Sequence, residues 1–222
     1  MSRSPGEPLR MGWLPRGHLK STTINMQIPL FFWLGGLSLL SVASCASAIG
    51  RGKYESPKYT TVVSDGAFEV RDYPEVVVVS APMKGARSNQ NSAFMTLFRY
   101  ISGDNENGRK IAMTTPVFGT LEEEGRKMSF VVPSEVVEEG VPAAMNQQVV
   151  ISKRQAGRFA VYRYSGRWSE ARERQGREKL QAWMDGRGYS ATGSFEKASY
   201  DPPFTPPPLR RNEVLVRIGK GS

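Results

Sequence analysis

The chain has 222 residues, with 30 Lys and Arg against 21 Asp and Glu, a formal charge of +9. One cysteine, Cys45, excludes an intrachain disulfide framework, and one histidine, His18, leaves little for imidazole chemistry. The basic excess is spread along the sequence, with no stripe of Lys and Arg interleaved with stacking aromatics, so nucleic acid is not an expected partner.

The first 45 residues differ in character from the rest. Arg10, Arg16 and Lys20 precede an uncharged stretch, Ser21 to Gly50, that carries the apolar runs Ile28 to Leu34 and Leu37 to Leu40. Basic, then apolar, then small residues is the layout of a secretory signal. Cys45 ends Val42-Ala43-Ser44-Cys45, which is similar to a bacterial lipobox, where the thiol is acylated and becomes the new N-terminus. Two alternatives stay open. Ala46-Ser47-Ala48 fits a simple A-x-A cleavage site, and an uncleaved apolar helix of about 20 residues could span a bilayer. Each places the protein beside a membrane, and the preferred lipoprotein reading puts it in the cell envelope, facing outside the inner membrane. Without residues 1–44 the chain keeps 26 basic and 20 acidic residues, and some attraction to anionic lipid is expected.

Residues 46–58 read as a tether, and 59–222 as one domain large enough for a real core. Strands are expected at 59–64 and 67–73, and Val76 to Val79 is a β-branched run suited to burial on both faces. In the helix expected over 91–101, Phe94, Leu97, Phe98 and Ile101 fall at i, i+3, i+4 and i+7. Turn formers from Gly103 to Gly108 end it. Strands follow at 111–120, 127–133, 147–154 and 158–164. A second helix is expected over 170–185, with Ser169 as N-cap, Gly186 near its end, and Gly176, Leu180, Trp183 and Met184 facing inward. Two last strands, 194–200 and 213–218, bracket the proline-rich segment Pro202 to Pro208.

A repeat is visible. Gly66-Ala67-Phe68-Glu69-Val70 is echoed by Gly157-Arg158-Phe159-Ala160-Val161, and each copy leads to a helix and then two strands. The expected fold is α+β: a pseudo-symmetric distorted β-barrel of two strand–helix–strand–strand halves, flanked by two helices.

Six fragments in order carry a family resemblance: Phe68-Glu69-Val70-Arg71-Asp72-Tyr73, Phe98 to Gly103, Met113-Thr114-Thr115-Pro116-Val117, Met128 to Pro133, Tyr200-Asp201-Pro202-Pro203-Phe204 and Arg210-Arg211-Asn212-Glu213-Val214. From about Tyr54 to Ile218 the chain resembles the SOUL haem-binding family. The resemblance implies a distorted barrel with two helices and binding of haem or a related tetrapyrrole. It places the ring against the apolar side of the first helix, at Phe94, Leu97 and Phe98, with Arg99 as the propionate partner. Asn91 and Thr205 stand where a better-known animal relative has basic residues, and the histidine proposed as axial ligand in another member has no counterpart.

Haem asks for an apolar slot, cations for its propionates and often an iron ligand. Arg99, with Arg109 or Lys110 across the next loop, can supply the cations. Met113 is the candidate thioether, though weak association without a protein ligand is preferred. The same residues also read as ordinary helix core, and Asp201-Pro202-Pro203 as a rigid turn. The expected function is membrane-anchored, non-enzymatic tetrapyrrole binding. The alternative is a module for another apolar small molecule or a partner protein. Catalysis is not expected, since outside the leader there is no histidine, no thiol and no metal-ligand cluster.

Overall fold

The computed structural model describes residues 54–83, 88–121 and 125–219. The signal-like segment, Cys45 and residues 46–53 lie outside the described residues. Strand β1 (Thr60–Asp65) turns through Gly66, at φ +61°, into β2 (Phe68–Tyr73), which is followed by β3 (Val76–Pro82). Helix α1 spans Ser88–Ile101, and β4 (Val117–Thr120) and β5 (Lys127–Val131) follow. Then come a short helix α2 (Ser134–Glu139), β6 (Val150–Arg154), β7 (Gly157–Tyr164) and α3 (Glu170–Asp185). Strands β8 (Ser190–Ala191), β9 (Glu196–Ser199) and β10 (Asn212–Gly219) complete the domain.

One antiparallel sheet takes the order β1-β2-β7-β10-β9-β4-β5-β3-β6, with β8 added on β10. The units β7–α3–β9–β10 and β3–α1–β4–β5 mirror one another about the central β4·β9 pair. This is the expected pseudo-symmetric α+β barrel, curled and incompletely closed. The echoed segments are not the equivalent strands, however. Phe68 pairs with Tyr162 and Tyr73 with Gly157, so β2 and β7 are neighbours in the sheet. The strand equivalent to β7 is β3, which likewise stands immediately before a helix.

Strand alternation divides the sheet into two faces. On β2, Val70 packs outward under α3 with Ala160, Leu180, Met184, Val214 and Val216. Its neighbours Arg71 and Tyr73 point inward, where Tyr73 meets Phe159, Val161, Tyr200 and Leu215. On the other half, Val79, Ala81, Met128 and Phe130 face out beneath α1. Ser169 caps α3 as expected, its hydroxyl accepting from the Arg172 N–H at 3.3 Å. Gly176 lets that helix sit close to the sheet, since a Cβ there would meet a Val214 methyl at 3.0 Å.

Three expectations are corrected. Residues 111–116 are not a strand, apart from the isolated bridge at Thr114; the ladder begins at Val117. Helix α2 lies where no helix is expected from the sequence. Residues 54–58 are held against the domain and do not hang as a tether: Glu55 bridges to Thr114, its carbonyl accepts from Thr115 N–H at 2.9 Å, and its carboxylate accepts from Ser134 N–H at 3.0 Å. No helix among the described residues is long and apolar enough to cross a membrane.

Candidate functional site

Helix α1 carries more large apolar side chains than one face can bury. At 100° per residue, Ala93, Leu97, Tyr100 and Ile101 share one side, and all four are buried against β3 and β5. The Tyr100 hydroxyl donates to the Pro142 carbonyl at 2.7 Å and fixes the helix's rotation. Phe94, Phe98 and Met95 are then left on the outer arc, with Arg99 at its edge. Phe98 is 43% exposed and Met95 45%. Half-buried Phe94 bridges the two environments, edge-on to Phe130 with centroids 5.4 Å apart and stacked on Phe98 at 6.0 Å.

The residues expected to hold a ring thus separate. Phe94, Phe98 and Arg99 lie together on the accessible strip, which also includes Met95, a residue the sequence reading passed over. Leu97 has no exposed surface; it anchors the helix and offers nothing to a ligand. Met113 is half-buried and packs against the same core cluster as Leu97. Of the two further cations, Arg109 is bonded to Glu139, whereas Lys110 is exposed. The loop carrying them is built by Asn105, whose side chain donates to the Tyr100 and Arg109 carbonyls at 2.8 and 2.7 Å and accepts from Arg109 N–H at 2.9 Å. Gly103 permits that return at φ +119°.

The strip fits a porphyrin in two respects: a flat aromatic and thioether surface for the ring, and Arg99 for a carboxylate. For iron the donor set is poor. The single histidine lies outside the described residues, which include no group of three or more His, Cys, Asp and Glu able to hold a metal. The residues therefore fit a porphyrin held by its face and edge.

A second constellation was missed by sequence reasoning. Arg71 on β2 donates from Nη1 and Nη2 to both carboxylate oxygens of Glu213 on β10, at 2.8 and 3.0 Å, and both residues are fully buried. Arg71 also donates to Glu69 and to the Tyr73 hydroxyl, and it lies over the Tyr59 ring at 4.4 Å. Glu213 accepts further bonds from the Tyr200 hydroxyl at 2.9 Å and from Arg211 Nη2 at 2.6 Å. Arg211 reaches Tyr59, and its N–H donates to Asp201 at 2.6 Å. Burial pushes the Glu213 carboxyl up, but Arg71 and Arg211 outweigh it and hold the group below the ordinary glutamate range. Burial also pushes the hydroxyls of Tyr73 and Tyr200 above the usual phenol range.

These contacts join three of the six sequence fragments: 68–73, 200–204 and 210–214. A fourth, Met113 to Val117, does similar structural work, since Thr114 donates to the Val131 carbonyl at 2.7 Å. The Arg71–Glu213 pair at its centre is fully buried and its charges are met on every side, so the network ties the strands together. The signal available in the sequence was the Arg71–Tyr73 alternation opposite an acidic residue inside an apolar strand.

Comparison with known proteins bears on the fold and the family. No curated protein sequence matches the chain. A solved structure of an uncharacterized conserved protein from Listeria innocua aligns with a TM-score of 0.51 at 12% identity, covering 68% of this chain and 92% of that one. The cryo-EM structure of an EcmrR–DNA complex gives 0.50 at 14% identity, over 69% of this chain and only 57% of that one. A crystal structure described as a hydrolase from Listeria innocua reaches 0.45 at 11% identity, covering 71% and 94%. At such identities the first two likenesses speak to the fold alone, and the third carries no argument. The description "SOUL heme-binding protein" matches residues 54–217, nearly all of the described domain, and the chain belongs to that family.

Proposed function

We propose that the protein binds haem or a related tetrapyrrole without catalysis, on the outer strip of α1. Phe94, Met95 and Phe98 lie under the ring, Arg99 meets a propionate, and no histidine ligates the iron. The observation that carries this reading is the exposed, stacked Phe98 on a helix whose core demand is already met by Ala93, Leu97, Tyr100 and Ile101. Membership of a haem-binding family supports the ligand class. The bound group would supply an iron centre and a large apolar face. The chain's own part is to stack against that face and to neutralise a carboxylate. An open strip with no strong iron donor suits reversible uptake and release, as in buffering or transfer at the cell envelope, where the signal-like N-terminus would deliver the domain.

A haemin titration followed by the Soret band tests this. Saturable one-to-one binding is expected, weakened about tenfold or more by Phe98→Asp and by Arg99→Glu, and unchanged by Met113→Leu. Binding indifferent to Phe98→Asp sinks the α1 assignment. A second reading, a module for another apolar compound, has one observation in its favour. A cleft of about 320 Å³ opens beside α2, its lining including Val76, Val77, Val131 and Val137 as well as Glu75 and Lys153. Displacement of a cleft-bound dye with no haemin response would favour it.

A further inference from the structure

The loop from Pro202 to Leu209 belongs to neither the α1 strip nor the buried network. Five of its eight residues are proline, so only Phe204, Thr205 and Leu209 carry a backbone N–H. Two of those are bonded within the loop, Thr205 to the Pro202 carbonyl at 3.0 Å and Leu209 to that of Pro206 at 2.9 Å. Arg210 folds beneath the loop. Its guanidinium donates to the carbonyls of Pro203 and of Thr205, the latter at 2.7 Å, and its N–H to that of Pro207 at 3.1 Å. The result is a stiff loop whose backbone is largely satisfied from within, so moving it out of water strips few hydrogen bonds. At its tip Phe204 is 82% exposed, with Leu209 49% exposed beside it.

Behind the tip lies a cleft of about 520 Å³ whose lining includes Arg163, Arg210 and Arg211 and no carboxylate. Arg211 shares its charge with Glu213. Arg210 is held by the neutral carbonyls of Pro203 and Thr205, and Arg163 is exposed on β7. An apolar tip in front of a cationic cleft matches the order of layers that a bilayer presents, acyl chains beneath a plane of phosphates. A protein groove able to seat Phe204 would have to supply anions at the same depth as well.

We propose that this end of the domain docks on a lipid surface containing anionic phospholipid. Phe204 and Leu209 enter the interfacial layer, and a phosphate headgroup sits against Arg163 and Arg210. The contact is independent of the tetrapyrrole reading, which rests on α1.

A probe at the loop tests it in the full-length chain. Cys45→Ser combined with Thr205→Cys allows a polarity-sensitive fluorophore beside Phe204, and Cys45→Ser with Glu178→Cys places a control on the exposed side of α3. Vesicles of phosphatidylcholine with phosphatidylglycerol should shift the emission of the position-205 probe to the blue and leave the position-178 probe unmoved. Phe204→Asp should abolish the shift, and Arg163→Glu should weaken vesicle affinity about tenfold. A position-205 probe that stays unshifted overturns the proposal, whether or not the protein sediments with vesicles. An equal response to pure phosphatidylcholine overturns the headgroup assignment. A shift that survives Phe204→Asp overturns the role of the loop.

Discussion

Arg71 and Glu213 meet in a two-pronged ion pair at 2.8 and 3.0 Å, 142 residues apart in sequence and without exposed surface. They sit on β2 and β10, which are separated in the sheet by β7. The pair therefore spans the concave face and ties the first strands of the domain to its last. Two further donors complete the carboxylate, so the desolvated charge is met on every side.

Removing one partner should expose the cost of burying the other. Glu213→Ala leaves Arg71 buried without its counter-ion and should cost about 3–5 kcal/mol in urea denaturation. Arg71→Met with Glu213→Leu should recover a large part of that loss. Recovery will be incomplete because Arg211 and Tyr200 still lose a partner. A single variant of wild-type stability would show that the pair contributes nothing.

The same carboxylate sets an acid limit. Its folded pKa is depressed by Arg71 and Arg211, so in acid the unfolded chain binds a proton that the native state refuses. The stabilisation is fully present above the ordinary glutamate value, about 4.3, and is lost as pH falls through the lower folded value. Stability should drop steeply below about pH 4. The Glu213→Gln variant should show a shallower slope there, measured by denaturant midpoints across the acid range.

The alkaline side has the opposite sign. Burial raises the hydroxyl pKa of Tyr73, Tyr100, Tyr164 and Tyr200. Their contribution is intact below about pH 10 and is lost above it, as the unfolded chain ionises. Phenolate absorbance should show these four still protonated in the native protein when the pH passes 10. They should appear together with the loss of far-ultraviolet dichroism. Early, independent titration of all eight tyrosines of the chain would contradict their burial.

Much of this architecture was legible where chemistry is local. The inward side of α3 follows from a 3.6-residue period, and Ser169 as its cap follows from hydroxyl chemistry one turn away. What could not be read depends on distant partners. Helix α2 has no side-chain cap of its own; its Ser134 N–H is held by Glu55, 79 residues upstream. On α1 the period admits two faces that differ by a small rotation, and only the packing against β3 and β5, with the Tyr100 bond to Pro142, decides that Leu97 goes in and Phe98 stays out. The echo of Gly66 to Val70 in Gly157 to Val161 arises between paired strands that share an environment, so similarity of pattern stood in for equivalence of position.

Glu55→Ala isolates that long-range cap. It should destabilise α2 by about 1 kcal/mol and speed amide exchange at Ser134 and in the turn that follows. The amides of α3, capped by Ser169, should keep their protection. Equal protection in α2 with and without the Glu55 carboxylate would show that the helix stands without it.

Neighbouring positions on α1 provide the sharpest test of how the helix is turned. Leu97 is enclosed, so Leu97→Ala leaves a cavity and should cost about 2–5 kcal/mol. Phe98 is 43% exposed, and its ring is supported chiefly by Phe94, so Phe98→Asp should change stability by only about 0.5–1 kcal/mol. For haemin the ranking should reverse: Leu97→Ala, where still folded, binds nearly as well as the parent, and Phe98→Asp does not. If the two variants fall together in both stability and haemin affinity, core and contact surface are one face, and the ring would have to enter the domain to bind. If they separate as expected, the part of α1 that holds the fold and the part that meets the ligand lie on adjacent, distinct faces of one helix.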